Sequence, residues 1–182
     1  MQRRSFLRWT VVTGVLARAP IWAWAKPVTL TPGERANLDA LGLLVLPTSL
    51  GREQQQNVVE NFLAWCANYH PHADLGYGYG RPRTRWSGPS PDRDYAAQLR
   101  ALGPDFPRQA PAVQRAAVET ALQQAGVERM PRRPNGQFVA SDLMGYYFNG
   151  AAGEDFLYNA RILRDACRTL DHSEQRPQPL GS

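Results

Sequence analysis

The stretch Thr31-Pro32-Gly33-Glu34-Arg35-Ala36-Asn37-Leu38-Asp39-Ala40-Leu41-Gly42-Leu43-Leu44-Val45-Leu46-Pro47 decides the fold class. Thr31 is a helix-capping type, Pro32 suits the first helical position, and Glu34 is placed to reach back to the cap's own amide. Leu38, Leu41 and Val45 then recur at helical spacing and Pro47 ends the run, which predicts an amphipathic helix of about four turns. A chain that opens on so complete a helix signal raises the question whether anything after it reads otherwise.

Toward the C-terminus the same helical spacing recurs between loops. Ser49-Leu50-Gly51 turns the chain, and Val59, Phe62, Leu63 and Cys66 repeat at i, i+3, i+4 and i+7 up to Tyr69, a second helix with Cys66 on its apolar face. Ser90 is placed to cap and Pro91 to open a third helix, with Tyr95, Leu99 and Leu102 as its apolar side and Gly103 as its end. Pro111 opens a fourth, whose apolar face is Val113, Ala117, Val118, Ala121 and Leu122 and which Gly126 closes. The Val127–Asn135 stretch carries Arg129, Arg132 and Arg133 with Pro131 and Pro134 and reads as an exposed loop. Phe138 to Phe148 is a fifth helix ended by Asn149-Gly150, and Gly153 to Leu163 is a sixth short helix or an extended arm. No alternation long enough for a strand occurs. The expectation is an all-α, single compact domain of about five to six helices, with long irregular loops and an extended C-terminal tail. Its bounds are residues 26–170, with the tail at 171–182.

One segment resists this periodicity. From His70 to Pro91 the chain runs through Gly76-Tyr77-Gly78-Tyr79-Gly80 and Arg81-Pro82-Arg83-Thr84-Arg85-Trp86. Loops of about twenty residues inside a domain are uncommon and are usually functional or disordered. Tyr77, Tyr79, Arg81, Arg83, Arg85 and Trp86 are types that anchor interfaces, so this segment is a candidate partner-binding surface. The other reading has Tyr77, Tyr79 and Trp86 filling the edges of their own core.

Working toward the N-terminus, residues 1–25 read as an export leader. Arg3-Arg4 precede Ser5-Phe6-Leu7, an uncharged stretch follows, and Ala23-Trp24-Ala25 offers the small-residue spacing of a signal-peptidase site. Arg18, Thr10, Thr13 and Gly14 keep this stretch well short of the roughly 20 apolar residues of a membrane span. The twin arginines with Phe6 and Leu7 resemble the twin-arginine signal, whose translocase carries folded proteins. The alternative is an ordinary secretory leader. Removing Arg3, Arg4, Arg8 and Arg18 turns 21 basic against 16 acidic residues into 17 against 16, so the net charge of +5 is mostly the leader's and nucleic acid is not an expected partner.

No catalytic constellation is evident. His70, His72 and Asp74 alternate as metal ligands in an extended segment could, but no third strong ligand follows from the sequence and Pro71 limits the geometry. The glycines at 76, 78 and 80 follow no strand and open no helix, as a phosphate-cradling loop would require. Gly-x-Ser-x-Gly, His-Glu-x-x-His and Cys-x-x-Cys-His are all missing. Asp92 and Asp94 stand near a helix start, where solvated carboxylates favour the macrodipole. No catalytic, metal or cofactor-binding residue is therefore expected. With two cysteines, Cys66 and Cys167, an internal bridge, a bridge to another chain and two buried thiols all remain open.

Taken in order, the twin-arginine leader, Leu30-Thr31-Pro32-Gly33-Glu34, the helix into Leu44-Val45-Leu46-Pro47, Gly80-Arg81-Pro82-Arg83 to Trp86-Ser87-Gly88-Pro89-Ser90-Pro91, and the end around Phe156-Leu157-Tyr158, Arg164-Asp165, Cys167-Arg168 and Leu170 resemble the gluconate 2-dehydrogenase subunit 3 family. The resemblance implies a small, non-catalytic subunit of a membrane-associated dehydrogenase acting on sugars, polyols or sugar acids. It implies a flavin-dependent catalytic subunit of the glucose-methanol-choline type holding FAD, and a multihaem cytochrome c subunit. It further implies that the small subunit's leader exports the catalytic subunit through the twin-arginine translocase to the periplasm. Phe156 and Tyr158 join the loop as candidate partner-binding residues, and Cys167 becomes a candidate for an intersubunit disulfide while Cys66 stays buried. The long arginine-rich 76–91 segment departs from the commoner family pattern. A stand-alone periplasmic binding protein using the Gly-Tyr and arginine-rich loop is the alternative, and an enzyme built on His70 and His72 is a third possibility.

Overall fold

The Thr31 hydroxyl accepts the Glu34 amide at 3.3 Å, and a Glu34 carboxylate oxygen accepts the Thr31 amide at 2.8 Å, so the reciprocal cap expected from the sequence starts the first helix. In the computed structural model, which describes residues 29–75, 86–159 and 174–175, that helix is α1, Pro32–Val45. It is followed by α2 (Gly51–Ala67), α3 (Tyr95–Ala101), α4 (Pro111–Gln124), α5 (Val139–Phe148) and α6 (Ala151–Tyr158), with short 3-10 turns at Thr48–Leu50, Pro91–Asp94 and Phe106–Arg108. The protein is all-α. Among the described residues no helix is long and apolar enough to cross a membrane.

α1 is the hub. It packs on α2, α3, α4 and α5 and on the Phe106–Arg108 turn. Its Leu38 and Leu41 are buried with Val59 and Phe62 of α2, Tyr95 and Leu99 of α3, Phe106, and Val139 and Leu143 of α5. Each such side chain contributes about 1.5–3 kcal/mol when fully withdrawn from water. A Cβ on Gly42 would lie 2.6 Å from a Val59 methyl, so glycine sets the closeness of α1 to α2. α6 lies against α5, where a Cβ on Gly153 would meet the Tyr147 carbonyl oxygen.

Helix ends need partners for their last carbonyls, and buried amide side chains supply them here. Asn37 Nδ2 donates to the carbonyls of Leu99 at 2.8 Å and Gly103 at 3.0 Å, closing α3 from α1. Gln55 Nε2 donates to the Leu46 and Pro47 carbonyls at the end of α1. Gln114 Nε2 donates to the Phe106 carbonyl at 2.7 Å.

Four local expectations change. Ser90 does not cap a helix; its hydroxyl donates to Asp92 instead, the first turn is 3-10, and the α-helix begins only at Tyr95. Asp92, within that turn, is buried, while Asp94 is exposed as expected. In α4 the buried positions are Gln114 and Val118, and Val113 faces solvent because α4 meets the body mainly through α1. The sixth helical segment starts at Ala151, two residues before Gly153, and stops at Tyr158, where Asn159 takes the left-handed conformation (φ 46°). The tail lies outside the described residues except for Glu174 and Gln175.

Candidate functional site

Among the described residues Asp142 is the most deeply buried carboxylate, and its neighbours explain how an acid can sit in the apolar face of α5. Tyr95 Oη donates to Asp142 Oδ2 at 2.6 Å, and the Gly136 amide donates to the same oxygen at 2.7 Å. The Asn135 amide donates to Oδ1 at 3.0 Å. Burial raises the Asp142 carboxyl above the usual carboxylate range, while these three donors pull it down. The chemical result is a clamp: two backbone N–H groups of the loop before α5 are held by a side chain of α5 itself.

A second attachment holds the other end of that loop. Asn149 Nδ2 contacts the Pro131 carbonyl at 3.4 Å, and a Cβ on Gly145 would come within 2.6 Å of the same oxygen. Glycine at 145 lets residues 131–136 lie flat on the helix. Gly136 adopts φ 85°, a conformation that glycine reaches without strain, and a Cβ there would meet the Pro91 carbonyl. Gln98 of α3 donates to the Gly136 and Gln137 carbonyls and accepts from the Val139 amide. Residues 131–136 thus form a strap fastened at both ends, with Arg132 and Arg133 exposed between the fastenings.

The strap walls a cleft of about 530 Å³. Trp65 and Tyr69 of α2 and Tyr146 of α5 make its aromatic side, with Trp65 ring centroids 5.3 Å from Tyr69 and 5.9 Å from Tyr146. Its remaining wall is the base of the His70–Pro91 segment. There the chain turns at His72 (φ 59°), and Asp74 and Trp86 form an antiparallel bridge. Ser87 locks this base: its amide donates to the Ala73 carbonyl, its hydroxyl donates to the His70 carbonyl, and its Oγ accepts the Ala73 amide. Two more concavities border the strap, one of about 540 Å³ with Arg129, Arg132 and Arg133 around it, and one of about 340 Å³ where Arg133 shares the lining with Arg93 and Asp94. Neither the cleft beside Trp65 nor the 540 Å³ concavity is lined by a carboxylate among the described residues, although those residues hold more carboxylates than guanidinium groups. Among the described residues Arg129, Arg132 and Arg133 make no ion pair, unlike Arg35 with Asp39 and Glu60, or Arg100 with Glu34.

Of the sequence-predicted partner-binding residues, Trp86 is 62 % exposed, so it does not fill the edge of the core. Tyr158 is 70 % exposed and Leu157 61 %, whereas Phe156 is half-buried against Phe148, ring centroids 6.2 Å apart. Tyr77, Tyr79, Arg81, Arg83 and Arg85 lie outside the described residues, as do the leader residues Arg3, Arg4, Phe6, Leu7, Ala23 and Ala25 and the cysteine Cys167. Cys66 is a buried free thiol pushed up to about 12, first by burial and then by the charges of Asp92 and Asp142. His70, His72 and Asp74 are not drawn into a metal-ligand cluster; among the described residues no group of three or more His, Cys, Asp or Glu side chains is placed to hold an ion.

The strap and its clamp escaped sequence reading. The one signal available was an acid within the otherwise apolar Phe138–Phe148 run, seven residues after Asn135. No protein-family model matches the chain, and comparison with curated proteins and with solved structures finds no match.

Proposed function

We propose that this chain is the non-catalytic escort subunit of a periplasmic, membrane-associated, flavin-dependent dehydrogenase, binding the catalytic subunit and supplying the twin-arginine signal for its maturation and co-export. The observation that carries the reading is the joining of an Arg3-Arg4 leader to a helical domain that leaves Trp86, Leu157 and Tyr158 in solvent. Exposed aromatic residues of this kind are the usual anchors of a subunit interface. The ordered motifs that resemble the gluconate 2-dehydrogenase subunit 3 family support the same reading. Under it FAD and haem c belong to the catalytic and cytochrome subunits, and substrate choice lies on the catalytic chain.

The test is purification of the tagged full-length protein from its own host, with a visible spectrum and mass identification of what accompanies it. The expected result is a yellow complex containing a flavin oxidoreductase, whose export fails when Arg3 and Arg4 are both replaced by lysine. An exported, active dehydrogenase in cells deleted for this chain would refute the reading. The cleft beside Trp65 favours a second reading, a stand-alone periplasmic binding protein, since its size falls in the usual range for small-ligand sites. That reading expects a colourless monomer that is stable alone.

A further inference from the structure

We propose that the cleft between α2, the Ser87-locked loop base and the 131–136 strap receives an extended acidic and apolar segment of a partner polypeptide. An apolar side chain of that segment seats against Trp65, Tyr69 and Tyr146, and its carboxylates meet Arg132 and Arg133. The proposal takes as its premise that the chain works bound to a partner protein.

Charge selects the occupant. The cleft floor is aromatic and its strap edge carries Arg132 and Arg133, with no carboxylate among the described residues that line it. Arg132 and Arg133 make no ion pair among the described residues, so no acid of the same chain engages them as Asp39, Glu60 and Glu34 engage Arg35 and Arg100. A basic or neutral segment gains nothing from this edge, whereas a carboxylate finds planar, bidentate donors.

Pre-organisation makes the edge effective. Ordering a long side chain and its loop at an interface costs free energy that would otherwise appear as affinity. Here the backbone under Arg132 and Arg133 is already fixed by Asp142 at one end and by Asn149 and Gly145 at the other. The opposite wall is equally fixed by Ser87. A partner strand therefore meets two rigid walls and reorders only side-chain tips.

Two measurements on the full-length protein test this. In the first, fluorescence anisotropy follows labelled Glu-Glu-Leu-Glu-Phe-Glu and its counterpart with every Glu replaced by Lys. Wild type is expected to bind the acidic peptide and not the basic one. Arg132→Glu/Arg133→Glu should weaken the acidic peptide at least about tenfold and reverse the preference. Arg115→Glu, an exposed arginine of α4 away from the cleft, should bind like wild type. Equal binding of the two peptides, an unchanged double variant, or a wild type that binds neither peptide overturns the proposal. In that last case sedimentation distinguishes a groove closed by a second copy from one closed by the chain's own terminus. The second measurement compares recovery of the flavin subunit on tagged wild type, Arg132→Glu/Arg133→Glu and Arg115→Glu. Loss with the double variant alone supports the proposal. Equal recovery overturns the cleft assignment and leaves the escort reading standing. Peptide discrimination without any flavin subunit refutes the escort reading while the acidic-segment site survives.

Discussion

Replacing Tyr95 by Phe removes one oxygen from the interior and leaves the ring, with its 5.8 Å contact to Phe62, in place. Tyr95 is 1 % exposed, so no solvent reaches the carboxylate oxygen that loses its 2.6 Å donor. A hydrogen bond to a charged group contributes about 1.5–3 kcal/mol. A loss of about 2 kcal/mol is expected at neutral pH, or roughly 5–10 °C in Tm for a domain of this size. The pH dependence has a definite sign. Burial raises Asp142 above its ordinary value of 3.8, so this group's contribution to stability is complete at acid pH and declines as pH rises through the raised range. The Tyr95 hydroxyl favours the ionised form and limits that decline. Removing it pushes Asp142 higher still, so the penalty of Tyr95→Phe must grow as pH rises through that window. Urea denaturation followed by circular dichroism at a series of pH values measures it. A penalty below about 0.5 kcal/mol, or one that shrinks with rising pH, refutes the account of the clamp.

Two further outcomes follow from the same geometry. Gly145→Ala should destabilise by about 1–3 kcal/mol, reversing the gain of about 1 kcal/mol that alanine normally gives within a helix, because its methyl would overlap the Pro131 carbonyl; a thermal melt showing a more stable variant contradicts this. Cys66, pushed from 9.0 to about 12, should hold roughly a thousandth of the thiolate of an ordinary cysteine at pH 8. Iodoacetamide followed by peptide mass analysis should find it unlabelled in the native protein and labelled in urea, and rapid native labelling would show that the α2 core is open.

What the sequence made legible was what short-range chemistry decides. The Thr31–Glu34 cap lies within one turn, and the stops at Pro47 and Asn149-Gly150 are local properties of the backbone. Arg132 and Arg133 were readable as exposed because prolines flank them. Their fastening was not readable, since Tyr95 and Asp142 stand 47 residues apart and Gly145 looks like any helix glycine until Pro131 is laid on it. The burial of Asp92 was not readable either, because its stretch forms a 3-10 turn in place of the expected α-helical start and Ser90 donates to its carboxylate. The cleft draws its walls from α2, the Ser87 base and α5, so no single stretch announces it.

Asn37 has a consequence for how the bundle assembles. Its amide reaches the Leu99 and Gly103 carbonyls, which straddle the point where α3 stops. Those carbonyls become available together only when α3 has ended there, and Asn37 is in reach only when α1 has docked. Termination of one helix and docking of another are thereby a single event. α3 is seven residues long, well short of the length at which an isolated helix persists in water. It gains its lower boundary from a neighbour 62 residues earlier in the chain. Such a helix is expected to open together with α1 as one cooperative unit rather than to fray on its own.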